Sequence, residues 1–246
     1  MAVDTLTFDQ VHLGVPDPVA GARWYVETLG ASPGEHVDRV WFGGVRVIFL
    51  KNEAPGPSDG AAIDHFALSY ADVTAVTQTL AHAGVRVTTP VSVAQGLGRY
   101  ADIEDPWGTK IQLVEDPDLL GFHHVHLRVP DPDRARSWYL ERFGGTRARH
   151  KGTLDGLQYG AMWVFIDAGA APPSRGRAID HVGWRMPDLL AKAAELKEKG
   201  VTFTVEPHPG PTSPGAPVLM SFTEDPWGVK IELLQRGGEQ QGDDAV

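Results

Sequence analysis

The residues with the most chemical promise in this chain are His124, His181 and Glu232. Two imidazoles and one carboxylate form a donor set for a divalent metal. Their significance comes from an internal repeat. Phe8 to Gly30 (FDQVHLGVPDPVAGARWYVETLG) returns as Phe122 to Gly144 (FHHVHLRVPDPDRARSWYLERFG). Likewise AIDH at Ala62–His65 returns at Ala178–His181, and EDPWGTKIQL at Glu104–Leu113 returns as EDPWGVKIEL at Glu224–Leu233. The first copy carries Gln10, His65 and Gln112 where the second carries His124, His181 and Glu232. The second copy therefore reads as metal-binding, and the first as a degenerate copy kept for packing.

Strands must position these side chains. Alternating segments open each of four units: VHLGV after Gln10, FALSY after His65, VHLRV after His124 and VGWRM after His181. A helix is predicted after each, started by Pro-Asp-Pro before Val19 and before Asp133 and closed at Gly30, Gly84, Gly144 and Gly200. About three short strands follow each helix. The last hairpin turns at Asp105-Pro106-Trp107-Gly108 and at Asp225-Pro226-Trp227-Gly228.

Period-two alternation then assigns faces. Glu232 falls on the face opposite its apolar neighbours Ile231 and Leu233. His126 lies two residues past His124 and shares its face, which makes it the candidate for proton transfer, although His12 at the matching place suggests a shared structural role. Arg128 and Arg185 each lie four residues after a histidine, where the first half has Gly14 and Ser69. They are the candidates to bind an anionic substrate through bidentate pairs. His123 is expected on the opposite face, away from the chemistry.

Composition bounds the function. The chain has 246 residues, 42% hydrophobic and 22% charged, with no cysteine, so disulfides and thiolate ligands are excluded. A formal net charge of −10 argues against nucleic acid and against an anionic membrane surface. No segment approaches a membrane span, and a cytoplasmic location is expected. The repeat predicts two domains, 1–117 metal-free and 118–236 metal-binding. A polar, acidic tail over 237–246 is expected to be disordered.

The segments HHVHLRVPDP…WYLERFG, AIDHVGW and DPWGVKIEL resemble the vicinal oxygen chelate superfamily of glyoxalase I, extradiol dioxygenases and bleomycin resistance proteins. The resemblance covers nearly the whole chain apart from the tail. It implies an α+β fold of four βαβββ modules paired into two half-open barrel domains. It also implies metal ligands at His124, His181 and Glu232, and an ion that chelates two neighbouring oxygens of a small substrate. Iron(II) is favoured, with zinc, manganese, nickel or cobalt as alternatives. Glyoxalase I adds a fourth, carboxylate ligand where this chain has Val164 or Ile48. Extradiol dioxygenases share the three-ligand pattern but carry a tyrosine where Phe222 stands. The expectation is a metal-dependent enzyme with a dioxygenase-like two-histidine, one-carboxylate site. A glyoxalase-like lyase or isomerase and a non-catalytic, antibiotic-sequestering binder are the alternatives. Monomer and homodimer are both compatible.

Overall fold

The computed structural model describes residues 4–210 and 218–236, so the expected tail 237–246 lies outside the described residues. Four βαβββ units follow one another. The first comprises β1 (Thr7–Val15), α1 (Pro18–Leu29), β2 (Ser32–Pro33), β3 (Arg39–Phe42) and β4 (Val45–Lys51). The second has β5 (Ile63–Tyr70), α2 (Val73–His82), β6 (Arg86–Ala94), β7 (Gly98–Glu104) and β8 (Lys110–Glu115). In the third are β9 (Gly121–Val129), α3 (Pro132–Phe143), β10 (Thr146–His150), β11 (Leu154–Tyr159) and β12 (Met162–Ala168). The fourth holds β13 (Ile179–Arg185), α4 (Leu189–Glu198), β14 (Phe203–Pro209), β15 (Val218–Glu224) and β16 (Lys230–Arg236).

Each helix starts on an aspartate (Asp17, Asp72, Asp131 or Asp188) whose side chain accepts from otherwise unpaired N–H groups of the first turn. Gly30 ends α1 in the left-handed region at φ 76°, where a side chain would be strained.

Among the described residues the strands form two eight-stranded mixed sheets. One runs β14-β15-β16-β13-β1-β4-β3-β2 and the other β10-β11-β12-β9-β5-β8-β7-β6. The first sheet thus joins units one and four, and the second joins units two and three. This corrects the expected pairing of units within 1–117 and within 118–236. The four units are interchangeable in sequence pattern, so the repeat alone does not choose partners. The short join 116–120 leads from β8 directly to β9, which lies beside β5. Consecutive elements connected this closely tend to be neighbours.

The halves do cohere, but by another contact. Tyr25 of α1 donates to Asp105 at 2.8 Å, and Tyr139 of α3 donates to Asp225 at 2.9 Å. Both aspartates sit in the Asp-Pro-Trp-Gly turns and accept from two backbone N–H groups there. Each tyrosine–aspartate contact therefore ties one sheet's helix to the other sheet's last hairpin. Between the sheets, Phe8 of β1 packs at 5.9 Å from Phe122 of β9, and within its own sheet it lies 5.2 Å from Trp184.

One irregularity matters for function. In the central pairs β1–β13 and β5–β9 the register shifts twice each. The residues left unpaired are Asp9, Asp180, Asp64 and His123, each directly before one of the repeat's four donor positions. A β-bulge re-aims the side chain that period two would send to the other face.

Candidate functional site

The two central strand pairs each carry a cup of clustered donor side chains. In the first, Gln10 and His12 on β1 meet His181 on β13 and Glu232 on β16. Glu232 Oε2 lies 3.2 Å from His12 Nε2 and 3.3 Å from His181 Nε2, and Gln10 Nε2 donates to it at 2.6 Å. All four residues are buried. The His12 and His181 rings stack at 4.1 Å.

The electrostatics of this cup are unusual. Burial opposes the charge on Glu232, yet His12 and His181 outweigh it and hold the carboxyl below its ordinary range. Burial and the adjacent His181 push His12 down to about 4, so that ring is neutral at physiological pH. His181 Nδ1 lies 2.6 Å from Asp180 Oδ1, and Asp180 also binds Lys230. Burial works against the Asp180 charge, but these partners hold its carboxyl low. A proton on Nδ1 of His181 leaves its Nε2 lone pair facing Glu232. Neither ring nitrogen of His12 has a hydrogen bond of good geometry. A buried carboxylate thus faces two imidazole nitrogens and accepts from one amide. That arrangement fits a cation and suits little else.

The second cup lies between β5 and β9. His65, His124 and His126 gather there, with donor atoms within 4.8 Å of one another. Nε2 of His65 and of His124 is buried without a hydrogen-bond partner. His65 Nδ1 lies 2.6 Å from Asp64, matching His181 and Asp180. Burial pushes both His65 and His124 down, so they too are neutral. His126 Nε2 is 3.0 Å from Asp167, and Arg128 reaches Asp64 at 3.3 Å. These side chains line a cleft of about 260 Å³ that also includes Tyr100, Gln112 and Phe165.

The expected ligand set is therefore divided. His181 and Glu232 share the first cup, whereas His124 lies in the second with His126 and Arg128. Arg185 is not beside Arg128 either; it pairs with Asp9 at 3.4 Å on the first sheet. The cause is the pairing of units across the halves, which places the first strand of unit one, not of unit three, beside unit four. His12 takes the place expected for His124, and it enters the donor cluster from the half expected to be metal-free. Its signal was visible in sequence, because it recurs on the donor face two residues past Gln10. Gln10 donates its amide to Glu232 and accepts from Arg236 at 3.1 Å, so it braces the carboxylate. His123 is the clearest miss. The bulge turns it towards His124, whose Nδ1 lies 2.8 Å from its own.

The model of the glyoxalase/bleomycin resistance protein/dioxygenase superfamily matches residues 7–113 and 121–233. The chain belongs to this superfamily. Lactoylglutathione lyase of Haemophilus influenzae is 28% identical over 131 residues, covering 48% of this chain and 95% of that protein. A lactoylglutathione lyase of Arabidopsis thaliana is 30% identical over 139 residues, covering 51% of this chain and 48% of the relative. The chain spans about half the length of the curated Arabidopsis relatives it matches. Glyoxalase I from Zea mays has the same fold, with a TM-score of 0.72 at 20% identity over 94% of this chain and 92% of that one. A candidate dioxygenase from Bacillus subtilis aligns with a TM-score of 0.68 at 16% identity, over 95% and 86% of the two chains. The named relatives are enzymes, in agreement with the expectation for this chain. Among the described residues no helix is long and apolar enough to cross a membrane.

Proposed function

We propose that this protein is a metal-dependent, glyoxalase-like enzyme acting on a small substrate with two neighbouring oxygens, and that His12, His181 and Glu232 hold the ion. The observation that carries the proposal is Glu232: ionised, buried, and met by two imidazole nitrogens at 3.2 and 3.3 Å. When bound, a divalent ion there would supply Lewis-acid polarisation of a substrate oxygen. The chain's own residues do the rest. Asp180 fixes the tautomer of His181 by accepting its Nδ1 proton. Gln10 keeps the Glu232 oxygen turned into the cup. Glu232 is the carboxylate placed to take a proton from substrate, as a glyoxalase-type rearrangement requires.

In the second cleft, Arg128 is the guanidinium available to a small anion, and His126 is the group beside it that can move a proton. A dioxygenase remains the second reading. It is favoured by the donor set itself, since two histidines and a carboxylate leave positions for dioxygen and substrate on iron(II). The test is to reconstitute the protein with each divalent metal in turn. Lactoylglutathione formation with glutathione present, and dioxygen uptake with vicinal diols, would be followed separately. One activity should appear, and Glu232→Gln should lower it by about two orders of magnitude or more, the scale of a lost acid–base group. Metal-loaded protein with neither activity would favour a binder of small molecules without turnover.

A further inference from the structure

Beside the second cup, against its His124 and Phe165, Asp116, His123 and His150 bring their donor atoms within 4.8 Å of one another. All three are buried, at 6%, 0% and 7% exposure. None belongs to either cup. His150 ends β10, Asp116 follows β8, and His123 is the bulged residue of β9.

Hydrogen bonding explains this cluster poorly. Asp116 Oδ2 lies 3.4 Å from His123 Nε2 and 3.3 Å from His150 Nε2. A charge-assisted N–H···O bond to a carboxylate is about 2.7–2.9 Å, so both contacts are too long by about half an ångström. They do match the edges of a tetrahedron around an ion. With metal–nitrogen and metal–oxygen bonds of about 2.0–2.2 Å, the ligand-to-ligand distance is about 3.4 Å. The second nitrogens are already used. His150 Nδ1 is 2.8 Å from Gly96 O, an acceptor, so it carries the proton and leaves Nε2 as a lone pair. His123 Nδ1 is 2.8 Å from His124 Nδ1 and can donate there. An outward Nδ1–H partner on each ring is the orientation seen in metal-ligating histidines.

We propose that Asp116, His123 and His150 form a second, buried three-ligand cation site of zinc-like chemistry, separate from the donor set of the first cup and from the cleft residues of the second. Lys151 Nζ, 3.6 Å from Asp116 Oδ2 and 40% exposed, stands on the solvent side and must swing out when the ion enters. Loading has a consequence for the second cup. With His123 Nε2 holding an ion, its Nδ1–H would donate a hydrogen bond to His124 Nδ1, and the one proton of neutral His124 would then sit on Nε2, facing the cleft. There His124 acts as a hydrogen-bond donor to a ligand, not as a metal ligand.

The chain has no cysteine. His150→Cys therefore introduces a single thiolate, and with cobalt(II) it reports this site alone through a thiolate-to-cobalt charge-transfer band. The expected result is that band, saturating at one cobalt per chain. Asp116→Asn in the same background should weaken it by tenfold or more in cobalt affinity. Wild-type protein should also bind one more cobalt than His150→Ala, while Glu232→Gln retains this equivalent. Natively folded His150→Cys without the band at saturating cobalt would overturn the site. So would equal cobalt binding by wild type and His150→Ala.

Discussion

Asp225→Asn should change how stability depends on pH, by an amount the structure allows to be worked out. The Asp225 carboxylate closes the turn that leads into β16, the strand carrying Glu232. It accepts from the N–H groups of Trp227 and Val229 and from the Tyr139 hydroxyl. Burial nevertheless pushes its pKa up to about 6, against the pull of those donors. An unfolded aspartate titrates near 3.9, and the rise to about 6 corresponds to about 3 kcal/mol between the two protonation states. A raised carboxyl favours folding while protonated. Its contribution is complete below about pH 4 and is lost as pH rises through about 6. Asparagine has no such dependence. The stability of wild type minus that of Asp225→Asn should therefore fall by up to about 3 kcal/mol between about pH 4 and pH 7.5. Urea denaturation of both proteins across that range measures the difference directly. A difference that stays flat with pH would refute the claim that burial governs this group.

Other expectations follow from the same structure. Asp180→Asn should weaken metal binding at the first cup by about 10–100-fold, the usual effect of losing a histidine's outer carboxylate partner, and Asp64→Asn should leave that affinity unchanged; competition with a chromophoric chelator reads both. His12 and His123 are each pushed down to about 4 by burial first and by neighbouring histidines second. Their stabilising effect is present above about pH 6.5 and lost as pH falls towards 4, so metal-free protein should lose up to about 3 kcal/mol per ring on acidification. His12→Gln should flatten that loss in thermal melts, and an unaltered acid profile would contradict it. Arg128→Ala should weaken a small carboxylate ligand of the second cleft by about tenfold or more by calorimetry, whereas Arg185→Ala should not, because Arg185 lies on the other sheet.

Local periodicity made the units legible. Alternating strands, the four helices with their glycine ends and the Asp-Pro-Trp-Gly turns all fall where the pattern puts them, because each is set by neighbours within a few residues. What the pattern could not supply was partnership. Four similar units can pair in more than one way, and the choice made by the 116–120 join moved His12 beside Glu232 and His124 away from it. The bulges were hidden for a related reason. Register is a property of two strands, and period two within a single strand sent His123 to the wrong face. Asp116 read only as part of the join, and nothing near His150 marks it as a donor. Both acquire meaning only when the bulge at His123 brings them together.

The most direct test of the central claim is metal content, by mass spectrometry, of anaerobically purified wild type, His12→Ala and Glu232→Ala. The account predicts that each variant loses the same one equivalent per chain and that the double variant loses no more. A wild type that takes up no metal even on titration would contradict it, as would a Glu232→Ala protein that keeps the full complement.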